Sequence, residues 1–232
     1  PGVISGLKVG IALLERHDVD YVTDYIDGDT ILSPQIFSLN GRAHDILATE
    51  RLLLNLLSHL SGISTHTNEI VRIAKQVNPK VEILATRKTV PGLREFEKEA
   101  VVHGGGATHR MRLDDAILIK DNHLKLSKSI KESIELSRSK YPELMIEVEA
   151  DNEDQAIEIA THGADRVMLD NFTPQEAVKT IKKLRQISDI EIEISGGVTI
   201  KNVADYAESA DFISLGSLTM SSLPVDFSLH VI

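Results

Sequence analysis

The chain has 232 residues, of which 42% are hydrophobic and 26% charged, a balance typical of a soluble globular protein and unlike that of a disordered chain. Its net charge of −10, from 25 basic and 35 acidic residues, disfavours a nucleic-acid-binding surface. It contains no cysteine, which excludes disulfides and cysteine nucleophiles and fits a reducing cytoplasm. No apolar run of about 18 residues is present that could span a membrane, and no signal segment opens the chain.

The N-terminal third divides into a short-stranded part and a helical part. Residues 3–43 are predicted to form a small β-rich region, in which apolar pieces such as Val19–Val22 alternate with turn formers. A long helical pattern follows, because leucines recur at spacings of three and four residues from Leu47 onward. A break in this helix is predicted near Gly62, and its end at Asn78-Pro79.

The remainder of the chain alternates short β-type runs with amphipathic stretches. Six strands are predicted, at Val81–Ala85, Ala116–Ile119, Leu144–Ala150, Arg166–Leu169, Ile190–Ser195 and Phe212–Leu215. Helix-start signals stand between them at Asp151-Asn152, Thr173-Pro174 and Thr199. The pattern predicts an α/β fold with a parallel sheet. A β/α barrel is favoured over an open doubly wound sheet, because no dinucleotide fingerprint follows an early strand.

The residues that follow the predicted strands are polar or glycine. They are Thr86-Arg87-Lys88-Thr89, Lys120-Asp121-Asn122-His123, Asp170-Asn171, Ser195-Gly196-Gly197 and Gly216-Ser217. The third strand carries Glu147 and Glu149 on one face, because side chains alternate along a strand. Since the active site of a β/α barrel lies at the carboxyl ends of its strands, these residues are the candidate site.

The candidate residues divide by charge. Cationic groups for carboxylate or phosphate come from Arg87, Lys88, Lys120 and the His109-Arg110 pair. Glu149 and Asp170 are hard oxygen ligands suited to Mg²⁺. The two glycine loops leave backbone N–H groups accessible to a phosphate. Together these residues predict a site for polyanionic small molecules.

Each feature also has a structural interpretation. Arg87-Lys88 alone is more often a solvated loop, Gly104-Gly105-Gly106 is as readily a flexible turn, and His109 is equally compatible with a hydrogen-bonded structural role. Glu147 and Glu149 are equally compatible with an outward polar face. The joint placement of these groups at strand ends favours the functional interpretation.

Three motifs in this order give the chain a specific resemblance. They are Thr86-Arg87-Lys88-Thr89, Gly104-Gly105-Gly106 with His109-Arg110, and Ile119-Lys120-Asp121-Asn122-His123. With Glu147-Val148-Glu149, Asp170-Asn171 and Ser195-Gly196-Gly197, they closely resemble the quinolinate phosphoribosyltransferase family. The resemblance covers essentially the whole chain.

The resemblance implies a fold and a reaction. Residues 1–80 would form an N-terminal α/β sandwich domain with connecting helices, a domain whose first part precedes Pro1 and whose last segment returns at the C-terminus. Residues 81–232 would form an incomplete β/α barrel of six to seven strands. The family joins quinolinate to phosphoribosyl pyrophosphate, releasing pyrophosphate and CO₂ and leaving nicotinate mononucleotide for NAD synthesis, with Mg²⁺ assisting.

The resemblance also implies roles for individual residues. The two carboxylates of quinolinate would be clamped by Arg87, His109, Arg110 and Lys120. The pyrophosphate, the ribose hydroxyls and the metal, bound directly or through water, would be held by Lys88, Glu149 and Asp170. The 5-phosphate would be cradled by Ser195, Gly196, Gly197, Gly216 and Ser217, and Thr86 belongs to the same substrate-binding set. The expected catalytic residues are Lys88, Lys120, Glu149 and Asp170.

One further residue concerns assembly. Arg51 matches a family arginine that reaches into the neighbouring subunit's site, which implies a homodimer as the catalytic unit, alone or within a larger oligomer. Met220 stands where the family usually has His or Lys, so no direct role is expected at that position. The choice between Glu147 and Glu149 as the metal-facing residue stays open, with spacing to Asp170 favouring Glu149.

Three alternative functions are weighed against this one. The paralogue encoded with molybdate transport genes shares the fold but typically lacks the Lys-Asp-Asn-His run, which is present here at 120–123. Nicotinate phosphoribosyltransferase has a monocarboxylate substrate, whereas the surplus of cationic groups here favours a dicarboxylate. A catalytically silent anion-binding barrel is disfavoured by the retained Lys120, Glu149 and Asp170.

Overall fold

The computed structural model of the chain describes residues 2–232. The chain folds into two compact units, and each is built from more than one segment. The first unit comprises residues 2–71, 88–108 and 216–232, and the second comprises residues 72–87 and 109–215. The domain boundary expected at residue 80 stays a prediction. No helix within residues 2–232 is both long and apolar enough to cross a membrane.

The first unit packs helices around a small hydrophobic core. Its elements are α1 (Leu7–Arg16), β1 (Asp20–Val22), β2 (Ser38–Asn40), most of α2 (Ala43–Val77), α3 (Arg94–His103), β4 (Ala107–Thr108) and α9 (Ser217–Met220). Strands β1 and β2 are antiparallel, with Tyr21 opposite Leu39. The core is formed by Ile4, Leu7, Leu14, Val19, Ile36, Leu53 and Leu57.

Helix α1 differs from the sequence prediction, which treated residues 3–43 as β-rich. The helix buries Leu7 and Leu14 on one face. Gly10 lies in its middle and weakens the intrinsic helix signal. The glycine allows close packing, because a Cβ at this position would lie 2.7 Å from Leu53 Cδ1 and would displace that side chain. Burial of the apolar face therefore overrides the local propensity.

Helix α2 is continuous, so the predicted break at Gly62 is wrong. Gly62 is present for a close contact and not for a turn: a Cβ there would lie 2.3 Å from the carbonyl oxygen of Leu223. The predicted end of the helix is confirmed, since α2 stops at Val77. The Asn78 side chain then donates hydrogen bonds to the carbonyl oxygens of Ala207 and Ala210.

The second unit is an α/β structure on a parallel sheet. Its strands are β3 (Glu82–Ala85), β5 (Ile117–Ile119), β6 (Ile146–Ala150), β7 (Arg166–Asp170), β8 (Glu191–Ser195) and β9 (Phe212–Leu215). Its helices are α4 (Asp121–Leu126), α5 (Ile130–Lys140), α6 (Glu153–Thr161), α7 (Pro174–Ile187) and α8 (Val203–Ala207). The six predicted strands are confirmed, each with bounds within two residues of the prediction.

The strand order makes this sheet an incomplete barrel, as predicted. Six strands of the seven-stranded sheet belong to the second unit, in the order β3-β9-β8-β7-β6-β5, and their pairings are parallel. Strand β3, the first of this unit, pairs with β9, the last, so the sheet curls back on itself. Within the described part of this unit β5 pairs only with β6, which leaves the barrel open beside β5.

Two helices begin where the sequence signals placed them. The Asn152 side chain accepts a hydrogen bond from the backbone N–H of Gln155 and caps α6. Thr173 and Glu176 form a reciprocal capping box at the start of α7, with Pro174 in the first turn. These caps fix the direction in which each helix leaves the strand before it.

Candidate active site

The sheet of the second unit has one apolar face and one polar face. In the parallel register Glu147 lies opposite Arg166, and Arg166 opposite Glu191, so these side chains share a face. The other face carries the fully buried Ile146, Val148, Val167, Leu169, Ile192 and Ile194, and α6 packs against β6 and β7. The polar face therefore lines the inside of the curl, where barrels usually hold bulky apolar residues.

A buried charged cluster occupies this interior. Glu147 and Glu193 are both 0% exposed. His109 Nε2 lies 2.8 Å from Glu147 Oε2 and 3.3 Å from Glu193 Oε2. Arg166 Nη1 lies 3.4 Å from the same Glu193 oxygen, and its guanidinium also bonds Glu191 at 2.7 Å. The structure thus joins His109 to acidic residues that are deep in the unit.

Burial and pairing act against each other in this cluster. Burial lowers the pKa of His109, but hydrogen bonds and charge from Glu147 and Glu193 outweigh it and raise that pKa to about 9. Burial raises the pKa of Glu147, whereas the hydrogen bond from His109 brings the pKa of Glu193 below its usual value despite burial. The two carboxylates are therefore unequal, and Glu147 is the one that holds a proton more readily.

Arg110, which follows His109 in the chain, interacts electrostatically with Arg87. Burial, and after it the positive charge of Arg87, lower the pKa of Arg110. Arg110 Nη1 also donates to the carbonyl oxygen of Ala116 at 3.1 Å, which holds its side chain against the start of β5. Like charges oppose each other's ionisation. The role of Arg87 and Arg110 as carboxylate-binding residues stays a prediction.

Lys120 and Glu149 face each other at the ends of neighbouring strands. Lys120 Nζ forms an ion pair with Glu149 Oε1. Lys120 follows β5 and Glu149 lies near the end of β6, so adjacent strands position the pair. Lys120 remains 48% exposed on its side chain, whereas Glu149 is 8% exposed. Of the two candidate glutamates, Glu149 is the one that reaches the more open end of the barrel, while Glu147 lies with His109.

The segment after β7 packs against the glycine loop after β8. Asn171 adopts a positive φ of 59°, and its side chain donates to Asp170 Oδ2 at 2.8 Å. Its backbone N–H donates to the carbonyl oxygen of Ser195 at 2.9 Å. Gly196 has a φ of +80°, and a Cβ there would lie 2.2 Å from Asn171 Oδ1. Only glycine allows this approach, so Asp170 and Ser195-Gly196-Gly197 are held together.

In the first unit, Lys88 is positioned by the segment around α9. The Thr219 hydroxyl donates to the carbonyl oxygen of Lys88 at 2.6 Å. The Lys88 side chain passes over Gly216, where a Cβ would lie 2.8 Å from Lys88 Cδ. Gly216 and Ser217, predicted as phosphate-binding residues, are thus neighbours of Lys88.

Two further predicted residues are placed as follows. The Arg51 side chain on α2 is 77% exposed, with Glu50 at 3.9 Å. An ion pair this long and exposed contributes little, so the Arg51 side chain is available to another molecule. Thr86 directly follows β3 and precedes Arg87.

The donor chemistry of the predicted metal ligands fits Mg²⁺. Glu149 and Asp170 offer carboxylate oxygens from the ends of adjacent strands β6 and β7, which is the ligand type that Mg²⁺ prefers. His109, Glu147 and Glu193 also have donor atoms within 4.8 Å of one another. That second cluster already has internal hydrogen bonds and Arg166 as its counter-charge, while Oε1 of Glu147 and Oε1 of Glu193 have no hydrogen-bond partner among the described residues.

Sequence reasoning missed three residues of this arrangement. Glu193 and Arg166 complete the buried cluster, and Thr219 holds the main chain at Lys88. A signal for Glu193 was present, since Glu191, Glu193 and Ser195 alternate with isoleucines and therefore share the inner face. The contacts of Arg166 and Thr219 depend on residues far away in the sequence and leave no local pattern.

The fold and the site define a β/α-barrel protein that binds small polyanions. A family model described as "Quinolinate phosphoribosyl transferase, N-terminal domain" matches residues 1–61, and the model of the C-terminal domain matches residues 63–230. The chain belongs to the quinolinate phosphoribosyltransferase family.

Individual relatives agree with this assignment. The probable nicotinate-nucleotide pyrophosphorylase [carboxylating] of Archaeoglobus fulgidus is 42% identical over 100% of this chain and 91% of its own length. The Mycobacterium leprae nicotinate-nucleotide pyrophosphorylase [carboxylating] is 37% identical over 100% of this chain and 83% of its own length. The solved structure of the Francisella tularensis nicotinate-nucleotide pyrophosphorylase is 32% identical, with a TM-score of 0.91 over 97% of this chain and 80% of that one.

Proposed function

We propose that the chain transfers the phosphoribosyl group of phosphoribosyl pyrophosphate to quinolinate with decarboxylation. The products are nicotinate mononucleotide, pyrophosphate and CO₂, in the cytoplasmic synthesis of NAD. The observation that carries the substrate assignment is the pair of cationic side chains in the second unit, Arg87 after the end of β3 and Arg110, whose side chain is anchored on the carbonyl oxygen of Ala116 at 3.1 Å. A dicarboxylate is the kind of ligand that neutralises such a pair, because each planar guanidinium can bind a carboxylate bidentately.

The cationic residues hold the pyridine ring by its acid groups. Arg87 and Arg110 bind the carboxylates, and Lys120 adds a point charge beside Glu149. The expectation that His109 also binds a carboxylate stays a prediction. Ser195-Gly196-Gly197 and Gly216-Ser217 accept the 5-phosphate on backbone N–H groups, and Thr86 contacts the substrate from the end of β3.

In this proposal, catalysis comes from charged side chains that are already in place before the reaction begins and stabilise the charges that develop in it. As the bond from the ribose anomeric carbon to pyrophosphate breaks, positive charge grows on that carbon and is stabilised by Glu149 and Asp170. Lys88 stabilises the departing pyrophosphate. The pyridine nitrogen then bonds the same carbon. As CO₂ leaves, the electron pair of the C–CO₂ bond stays on the ring carbon beside the positive nitrogen, and this carbon takes up a proton from solvent water.

Glu149 and Asp170 are the residues that would hold Mg²⁺, directly or through water. Bound there, the ion would supply charge neutralisation for the pyrophosphate. In the structure Glu149 is ion-paired with Lys120.

Arg51 supports a site shared between two copies of the chain. Its side chain is 77% exposed on α2, with a contact of 3.9 Å to Glu50. We therefore propose that Arg51 reaches the active site of the partner in a homodimer. An Arg51→Ala chain mixed with a Lys120→Ala chain should regain part of the activity that each lacks alone. No recovery in a verified mixed dimer would contradict the shared site.

The proposed reaction is tested by direct turnover. The protein is mixed with quinolinate, phosphoribosyl pyrophosphate and Mg²⁺, and nicotinate mononucleotide is followed by chromatography. Turnover of nicotinate in place of quinolinate would overturn the substrate assignment. Lys120→Met should abolish most activity. Lys125→Met is the matched control, because Lys125 is 68% exposed and bonds Asp121 and Asn122 within α4, and it should change activity less than twofold.

A further inference from the structure

Glu97 is a fully buried carboxylate of the first unit that the proposed reaction does not use. It lies in the first turn of α3 and is 0% exposed. A buried carboxylate is unfavourable unless partners compensate it, and an apolar residue of similar size would often be at least as stable. The partners of its two oxygens therefore indicate its role.

Each oxygen of Glu97 has a partner from a different part of the unit. Oε2 accepts a hydrogen bond from the backbone N–H of Val90 at 3.1 Å. His59 Nε2, on α2, lies 2.7 Å from Oε1. The histidine side chain is 31% exposed and the glutamate side chain 0%, so the contact lies at the edge of the buried interior. One carboxylate thus connects α2 with the segment that precedes α3.

The segment that Glu97 holds carries Lys88. Residues 88–90 lie outside the helices and strands, so their backbone groups depend on partners from elsewhere in the chain. The carbonyl oxygen of Lys88 accepts a hydrogen bond from the Thr219 hydroxyl at 2.6 Å, and two residues later the N–H of Val90 donates to Glu97. The main chain is therefore held on both sides of Thr89.

We propose that Glu97 is a positioning residue, which acts through the main chain of Val90 to fix the segment that carries Lys88. His59 in turn holds the carboxylate of Glu97 in the orientation that this hydrogen bond needs. Lys88 stabilises the departing pyrophosphate in the proposed reaction, so the kinetic consequence rests on the proposed function. The bond between Glu97 and Val90 does not depend on it.

Amide hydrogen exchange tests this bond independently of catalysis. In the wild-type protein the Val90 amide should exchange at least about tenfold more slowly than an unstructured amide, although Val90 lies in no helix or strand. Glu97→Met, a change to an apolar side chain of similar length, removes the acceptor and should abolish this protection. Glu97→Gln keeps an oxygen acceptor and should retain most of it. An unprotected Val90 amide in the wild type would overturn the proposal, whatever the variants do.

Steady-state kinetics test the consequence for Lys88. Glu97→Met should lower kcat about tenfold with the KM for quinolinate unchanged, and Glu97→Gln should restore most of the loss. Glu99→Met on the same helix is the matched control, because Glu99 is 49% exposed and pairs with Lys8 at 3.5 Å, and it should change neither constant. A Glu97→Met protein that is less stable but keeps the wild-type kcat would show a merely structural role and refute the proposal.

The part played by His59 is tested by combining substitutions. His59→Leu should lower kcat by a smaller factor than Glu97→Met does, and in the Glu97→Met background it should have no further effect, because it acts through the same carboxylate. Additive losses in the double variant would contradict this part of the proposal. Absence of quinolinate turnover in the wild type would contradict the proposed function alone, since the exchange of the Val90 amide would still decide whether Glu97 holds the segment.

Discussion

Gly216 offers a sharp test of how Lys88 is positioned. In Gly216→Ala the new methyl group would lie 2.8 Å from Lys88 Cδ, about 1 Å inside the optimum for two carbon atoms. The main chain is not strained, because Gly216 has φ −69° and ψ −21°, which alanine adopts readily. The methyl therefore displaces the side chain of Lys88 by about 1 Å while the fold is preserved. If Lys88 has the proposed role beside the leaving pyrophosphate, a displacement of this size should cost roughly a hundredfold in rate.

The assay is steady-state formation of nicotinate mononucleotide, together with thermal unfolding of the same preparation. We expect kcat to fall about a hundredfold and the free energy of unfolding to change by less than about 0.5 kcal/mol. Gly163→Ala is the matched control, because its φ of +78° strains alanine although a Cβ there would meet nothing within 4 Å. It should lose about 1 kcal/mol of stability and keep its activity. Full activity in Gly216→Ala would refute the argument that Lys88 depends on this glycine.

The other predictions concern a hydrogen bond, a buried histidine and a helix contact. Thr219→Val removes the donor to the carbonyl oxygen of Lys88 and should lower kcat about tenfold, while Thr219→Ser restores it; equal rates in both variants would contradict this role. The pKa of His109 is raised to about 9, so protonated His109 adds at most about 3 kcal/mol to the free energy of unfolding. This contribution is fully present below about pH 6.5 and is lost as the pH rises through about 9. Urea unfolding from pH 6 to 10 measures this loss, and a flat profile would refute it. Gly62→Ala places a methyl 2.3 Å from the carbonyl oxygen of Leu223 and should cost about 1–3 kcal/mol in denaturant unfolding, which an unchanged midpoint would disprove.

The strands of the second unit were predictable because their signal is local. Apolar runs of four to seven residues are bounded by helix caps such as Asn152 and Thr173, and both caps have the hydrogen bonds that the sequence implied. The N-terminal helix and the continuity of α2 were not predictable in this way. Gly10 and Gly62 look like helix breakers in the sequence, whereas each accommodates a partner that is distant along the chain.

In the candidate site, too, some contacts follow from local sequence signals and others do not. Strand order and alternation suffice to bring Lys120 and Glu149 together, because both lie at the ends of neighbouring parallel strands. The contact of His109 with Glu193 requires the curl of the sheet, which brings residues 84 positions apart to 3.3 Å. A sequence can mark such a residue as inward-facing by its alternation, but the partner that it meets depends on the closure of the whole sheet.

The charged interior of the barrel also bears on how this protein responds to temperature. Exposure of polar groups on unfolding lowers the heat capacity, whereas exposure of apolar groups raises it. With Glu147, Glu193 and Arg166 in place of branched aliphatic residues, the heat-capacity increment of unfolding should be smaller than that of an apolar barrel of equal size. The curve of the free energy of unfolding against temperature is then flatter. The cost of dehydrating charges also falls on warming, whereas the stabilisation from hydrophobic burial levels off. The ion-paired interior therefore still contributes to stability at high temperature.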